Sequence, residues 1–381
     1  MQCTADAAPR HSISVVIPTY RGSEKLLELV KSILKCNSHP AEVIVVADEP
    51  DPRVISELSK IQVDPLPLKL VVRGERRGKV SALNEASSVA TGDILVFLDD
   101  DVLIEDSKFF EKISSAMEGC DILDIKKVIV GKGLLAKLVY MEYTAYNFVS
   151  KLMAKLAGRT IAINGAAFAV KRGAFELIGG FKPCLAEDLD FALRSFVRKC
   201  RFGYLDSTYV LNYAPSSWRH WFRQRKRWAV GFASWLKENY RTILRAIREM
   251  PHILIPCIIL ALPSLLTMSV AMSFYNFTYP KATYVALLSL ALFIRELLPL
   301  TAAVSVTILV KYTLTTLLLG IIMVTVGALQ LVMARLTRMK PYVYLIPLYL
   351  LFYQAIWFTV LVAGFVRVLA FGNERVDDWV V

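Results

Sequence analysis

Three groups of residues along this chain carry side chains suited to chemistry on a charged, oxygen-rich substrate. Phe97-Leu98-Asp99-Asp100-Asp101 puts three carboxylates at the end of an apolar stretch. If that stretch is a strand, alternate side chains share a face, so Asp99 and Asp101 converge while Asp100 points away. Convergent carboxylate oxygens bind Mg²⁺ or Mn²⁺, ions that keep part of their coordination for substrate phosphates. The same acids would also suit a helix N-terminus, with Asp106 as its cap. Ala186-Glu187-Asp188-Leu189-Asp190 opens a helix-like stretch, where a carboxylate can take a proton from an attacking hydroxyl or simply favour the helix start. Gln224-Arg225-Lys226-Arg227-Trp228 spaces Gln224, Arg227 and Trp228 at i, i+3 and i+4, on one helical face. Arginine grips phosphate through paired N–H bonds and tryptophan can floor a sugar site, but an anchor in the membrane interface uses the same residue types.

Elements must hold these groups in place. Before about residue 250 the chain alternates strand-like and helix-like signals, which predicts an α/β domain with a largely parallel sheet. Strands are expected at 13–17, 42–46, 68–72 and 94–98, with helices after Ser23, which can cap, and over 80–90. In such sheets ligands gather beyond the carboxyl ends of the strands, where Thr19, Asp48, Arg73 and Asp99 fall. The stretch 134–156 reads as an amphipathic helix, either lying on a membrane or packed in the core.

The second part of the chain is different. From 251 to 370 apolar segments lengthen enough to cross a hydrocarbon core of about 30 Å, which predicts an integral membrane protein. Spans are expected at about 252–275, at a stretch ending near 334, and at about 342–370. The stretch 282–310, broken by Arg295, Glu296 and Pro299, is a fourth span or an interfacial helix. Arg335, Arg338 and Lys340 favour the cytoplasm, which an even number of crossings before them permits. Three spans fit that rule and would put 372–381 outside, with the loop holding the sequon Asn276-Phe277-Thr278.

The net charge of +12 is concentrated over 219–248 among Trp218, Trp221, Trp228 and Trp235, a headgroup-layer composition. No nucleic-acid recognition module is legible. Residues 1–12 lack an apolar stretch, so the soluble domain is expected in the cytoplasm, on the plasma membrane or an internal one. Six scattered cysteines without a Cys-x-x-Cys pair read as reduced thiols. The expected organisation is a soluble α/β domain over 1–214, an interfacial region over 215–250, a membrane domain of three or four helices over 251–371, and a tail over 372–381.

In the order and company of its motifs the chain resembles the membrane-bound branch of the family 2 inverting glycosyltransferases, which holds cellulose, chitin and hyaluronan synthases and many polyprenol-dependent sugar transferases. Ser14-Val-Val-Ile-Pro-Thr-Tyr20 is similar to the family's opening strand, and Val45-Val-Ala-Asp48 to its acidic nucleotide site, with Ala47 where the first acid of the usual pair stands. Arg77-Gly-Lys-Val-Ser-Ala-Leu-Asn84 resembles its basic loop, Asp99-x-Asp101 its metal motif, Glu187-Asp188 its catalytic acids and Gln224-x-x-Arg227-Trp228 its signature near the membrane. Gly179-Gly180-Phe181 also recurs in these enzymes.

The resemblance implies a Rossmann-like glycosyltransferase A-type domain that binds a nucleotide sugar, followed by a transmembrane helical domain. It implies Asp188 as general base with Glu187 tuning it, Asp101 and Asp99 as ligands of Mn²⁺ or Mg²⁺, and Pro18, Thr19, Tyr20, Asp48, Lys79, Asp99 and Asp100 around the nucleotide. Gln224, Arg227 and Trp228 would meet the diphosphate and sugar, and Asn164, Gly165 and Ala166 the acceptor. A short membrane domain favours a lipid-linked acceptor, such as a polyprenyl or dolichyl phosphate carrying a sugar, with GDP-mannose slightly ahead of UDP-sugars as donor. The alternatives are a small processive polysaccharide synthase and a non-catalytic sugar-nucleotide or lipid-binding membrane protein.

Overall fold

Ile13–Tyr20 forms the first strand, β1, and all but its last residue are buried. A strand covered on both faces reads as a continuous apolar run rather than an alternating one, and β1, β2 (Glu42–Asp48) and β4 (Ile94–Leu98) do so. In this computed structural model, residues 11–61, 67–291, 293–294 and 298–376 are described. The side chains of the sequon and of Arg295 and Glu296 lie outside the described residues.

Helix α1 (Glu24–Leu34) starts at Ser23, whose hydroxyl accepts from the Leu26 N–H. Helix α2 (Pro52–Lys60) precedes β3 (Leu68–Arg73), and α3 (Lys79–Val89) leads into β4. The chain then runs through β5 (Val102–Ile104), α4 (Phe109–Met117), β6 (Ile122–Val130), α5 (Gly133–Leu156), β7 (Ala167–Lys171), α6 (Arg172–Ile178), α7 (Glu187–Val197) and β8 (Phe202–Tyr213). The eight strands form one sheet in the order β3-β2-β1-β4-β7-β6-β8-β5. The pairings from β3 to β4 are parallel, as expected, whereas β7 runs antiparallel to both β4 and β6. Strand β8 rejoins parallel to β6, and β5 closes the edge antiparallel. Because Leu98 pairs with Ala167, the end of β4 and the start of β7 share one edge of the sheet. That edge carries the carboxyl ends of β1, β2 and β4.

Alternating side chains feed two cores. Val15 and Ile17 pack with α1 and α4, while Val16 packs on the opposite face with a group of phenylalanines that includes Phe97, Phe168, Phe175, Phe181 and Phe191. The expected 134–156 helix is α5. It is sandwiched, with Leu138 and Val139 packed against Ile322 and Val326, and Ala145 and Phe148 against Met333.

Helix α8 (Trp218–Glu249) is capped by Ser217, and α9 (Leu254–Ala291) and α10 (Leu298–Leu336) follow it. The last helical stretch begins as α11 (Ile346–Leu348), passes through a π-helical segment (Tyr349–Gln354) and continues as α12 (Ala355–Leu369). Among the described residues, three helical segments are long and apolar enough to cross a membrane: Pro251–Ser269, Pro299–Leu336 and Val343–Leu369.

Candidate active site

The shared edge of β1, β4 and β7 draws several of the sequence groups together. A small cavity there is lined by Pro18, Lys79, Asp99, Gly165, Glu187 and Asp188, with Phe97, Phe168 and Phe181 among its apolar walls. Lys79 is the bridge. Its ammonium lies 2.7 Å from Asp99 and 3.3 Å from Glu187, so it ties the basic loop to the first and second acid groups. Burial alone would lower its pKa, but the surrounding charges of Asp99 and Glu187 hold it above the usual lysine range.

Asp188 sits in the first turn of α7. Its Oδ2 accepts from the Gly165 N–H at 3.1 Å and its Oδ1 from the Leu189 N–H at 2.9 Å. A Cβ at 165 would lie 3.2 Å from Oδ2, so a side chain there would make the Asp188 carboxylate shift by a few tenths of an ångström. Burial, followed by the charge of Glu187, pushes the Asp188 carboxyl up to about 6, against the pull of Lys79 and the two N–H bonds. A carboxylate held near 6 is ionised at neutral pH and still basic enough to accept a proton.

The expected alternation of Asp99, Asp100 and Asp101 stops at Leu98, where β4 ends and a turn begins. Asp100 therefore does not simply point away: its Oδ2 accepts a hydrogen bond from the Thr19 hydroxyl, at the end of β1. Burial, then the neighbouring charges of Asp99 and Asp100, pushes the Asp101 carboxyl up to about 7. Among the described residues, no three His, Cys, Asp or Glu side chains gather as a ready-made metal cage. Two hard carboxylates whose mutual repulsion a cation would relieve do fit a divalent ion that takes its remaining ligands from a diphosphate and water.

Asp48 is buried, and its own chain occupies its oxygens: Arg73 at 3.2 Å, and the N–H groups of Arg77 and Gly78, both at 2.9 Å. It anchors the turn that presents Lys79, with Gly78 at φ +88° leading into α3. Tyr20 is exposed at the rim, with the Arg76 guanidinium 4.0 Å over its ring. In the loop before β7, Asn164 Oδ1 accepts from the Ala166 N–H at 3.1 Å, and the Ala166 carbonyl accepts from the Asp99 N–H at 2.9 Å.

Gln224, Arg227 and Trp228 are partly buried on α8, and none of them lines the small cavity. Their neighbour Arg225, to which the sequence reading assigned no role, is fully buried. Its guanidinium pairs with Glu142 of α5, and Glu142 also accepts from the hydroxyls of Tyr353 at 2.7 Å and Tyr146 at 2.8 Å. Arg225 Nε and Nη1 meet no hydrogen-bond acceptor; the guanidinium lies among the rings of Trp228 at 4.0 Å, Trp357 at 5.2 Å and Trp221 at 5.5 Å. Signals were present in the sequence: Arg225 stands at i+4 from Trp221 and i−3 from Trp228, and Glu142 is a lone acid in an apolar helix.

A second missed residue is Asn84, which clamps Phe181 by accepting from its N–H at 2.9 Å and donating to its carbonyl at 2.8 Å. Gly179 and Gly180, both at positive φ, make the turn that allows this.

A family model described as "Glycosyltransferase like family 2" matches residues 9–231, more than half of the chain and every element of this site. The chain belongs to that family. Its curled mixed sheet is the Rossmann-like A-type fold of family 2 glycosyltransferases.

Relatives include the "Probable glycosyltransferase YdaM" of Bacillus subtilis (strain 168), 23% identical over 58% of this chain and 54% of that protein. The "Probable glucomannan 4-beta-mannosyltransferase 1" of Arabidopsis thaliana is 25% identical over 61% of this chain and 45% of its own length. The poly-beta-1,6-N-acetyl-D-glucosamine synthase of Staphylococcus aureus (strain COL) is 23% identical, with 64% and 60% covered. The chain thus spans about half the length of the curated relatives it matches. Among solved structures, the mannosyltransferase PcManGT from Pyrobaculum calidifontis, in complex with GDP-Man and Mn²⁺, superposes over 82% of this chain and 90% of its own, with a TM-score of 0.52 and 21% identity.

Proposed function

We propose that this glycosyltransferase moves a hexose, with inversion, from a nucleoside-diphosphate sugar to a lipid-linked acceptor at a membrane surface, in glycan assembly. GDP-mannose is the favoured donor. The observation that carries the reading is that Asp188, basic and partly buried, shares one cavity with Asp99, with Lys79 bridging Asp99 to the adjacent Glu187.

Inversion needs a base on one side of the anomeric carbon and stabilisation of the departing diphosphate on the other. Asp188 accepts the proton of the incoming hydroxyl, and the Gly165 N–H holds its carboxylate in one orientation. Glu187 raises the basicity of Asp188 through its charge while Lys79 balances the cluster. Asp99 and Asp101 are the residues that would hold a divalent ion, whose chemistry is to neutralise charge on the leaving diphosphate. Lys79, and Arg227 on α8, add positive charge at the same end of the reaction. Gln224 and Trp228 are assigned to the transferred sugar or acceptor end, Asn164, Gly165 and Ala166 to the acceptor, and Pro18, Thr19, Tyr20 and Asp100 to the nucleotide. Asp48 acts on the nucleotide through the turn it holds.

Support for mannose comes from the mannosyltransferases among the relatives and solved structures. The N-acetylglucosamine polymer synthases among the relatives support a second reading, processive synthesis. The deciding experiment incubates the purified full chain in lipid nanodiscs with GDP-mannose, UDP-glucose or UDP-N-acetylglucosamine, Mn²⁺ or Mg²⁺, and a polyprenyl-phosphate sugar. One added mannose on chromatography supports the first reading. A ladder of products would replace it with the second.

A further inference from the structure

The three apolar segments do not begin and end alike. Helix α9 leaves from the catalytic domain, where Ile253 is buried in the core that also holds Phe196 and Trp235. At the far end of α10 the chain is back on the same domain: the Leu336 carbonyl accepts from Lys151 at 2.8 Å, the Arg338 carbonyl from Lys126 at 3.2 Å, and the Lys340 N–H donates to the Tyr140 hydroxyl at 2.8 Å. A chain that departs from one domain and returns to it crosses an even number of times.

The segment Val343–Leu369 starts from that returned position and never leaves. Near its head Tyr353 bonds to Glu142 of α5 and accepts from Trp221 of α8 at 3.1 Å. It then follows α8: a Cβ on Gly364 would lie 2.7 Å from the Ala229 Cβ, and Val368 packs on Val230 and Ala233. Beyond it, Glu374 accepts from Ser234 at 2.6 Å and Lys237 at 2.9 Å, and Val376 joins the cluster that includes Leu185, just ahead of Glu187. A helix crossing a hydrocarbon core of about 30 Å would put its two ends on opposite sides. Here both ends are held by one domain, along a helix bearing Arg223, Lys226, Arg227 and Lys237 that cannot enter hydrocarbon.

We propose that Val343–Leu369 is not a span but an in-plane helix docked on one leaflet, so that the chain crosses the membrane twice, through α9 and α10, and residues 373–376 return to the catalytic side. The partner of its outer face is a lipid surface. That face exposes Phe352, Val362, Val366, Leu369 and Phe371, while Tyr353, Gly364 and Val368 face the protein. With one side on α8 and the other in lipid, a helix in the plane is apolar all round and reads by hydropathy as a span. The arrangement also puts Arg335, Arg338, Lys340, Arg367 and Arg375 on one side, as charge bias requires. It goes beyond the donor and acceptor assignments and does not depend on them.

The test uses the full chain in sealed membrane vesicles of uniform orientation, with Arg375→Cys and, on the catalytic surface, Glu111→Cys. A membrane-impermeant maleimide is applied before and after permeabilisation, and labelling of the parent chain is subtracted. Equal protection of the two sites is expected; opposite protection overturns the proposal. Independently, fluorophores at Thr359→Cys and Leu369→Cys should be quenched at the same shallow depth by lipid-borne quenchers. A transmembrane helix would separate them by about 15 Å of depth, and that result overturns it as well.

Discussion

Asp188 is held between opposing influences, and this sets its pH behaviour. Burial and Glu187 raise its carboxyl to about 6, so it is ionised above that pH and protonated below it. A base works only when ionised, so turnover should fall tenfold per unit as pH drops below about 6; a flat profile between pH 4.5 and 7 would remove it from that role. Asp188→Asn keeps the shape and removes the charge. It should lower kcat by roughly 10²- to 10⁴-fold while donor affinity, read by calorimetry, changes little. If the acceptor is a lipid phosphate, already ionised, the same variant should lose far less. Arg225 makes a different case at this scale. Among the described residues its charged partner in the buried cluster is Glu142, so Glu142→Gln removes that counter-charge and should destabilise the protein by about 3–5 kcal/mol. Denaturant or thermal unfolding in detergent measures it, and a loss under 1 kcal/mol would mean that the surrounding aromatic rings suffice.

At the scale of elements, the parallel half of the sheet was legible because each strand is a short apolar run ended by a turn residue or an acid. The antiparallel half was not. Strand β5 has three residues and β7 five, and their pairing is decided by partners far along the chain, so no local period announces it. The turn at Asp99 to Asp101 was misjudged for a related reason: a strand's alternation applies only while its ladder lasts, and β4 has no ladder beyond Leu98. Helix contacts carry a prediction here. Gly364 lets α12 lie against Ala229 closer than any side chain allows, so Gly364→Leu must push the two helices apart. The Glu374 contacts with Ser234 and Lys237 should be lost with them, which would appear as faster proteolysis of the segment after Leu369. An unchanged digestion pattern would count against the packing described.

At the scale of the whole molecule, the site is assembled from β1, α3, β4, the loop before β7 and α7, and a ligand that touches several of them stabilises the fold by mass action. A true donor at about 100 times its dissociation constant should add about 2.7 kcal/mol, seen as a rise in melting temperature. The rise for GDP-mannose should vanish on chelation of divalent ions if Asp99 and Asp101 hold a metal. Persistence of the full shift in chelator would assign donor binding to Lys79 and the basic surface alone.

Residue types and their order were enough to single out the acids at 99–101 and 187–188, the basic loop at 77–84 and the motif on α8, because proton transfer and phosphate binding need particular functional groups wherever the chain puts them. Hydropathy likewise picked out the helices long and apolar enough to cross a membrane, since burial in lipid requires an apolar run of a certain length. Tertiary structure alone decided that Lys79 joins the two acid groups, that Asp48 serves a turn, and that Arg225 is buried. Those outcomes depend on distances between segments far apart along the chain, and an apolar run carries no record of whether its neighbour is lipid or another helix.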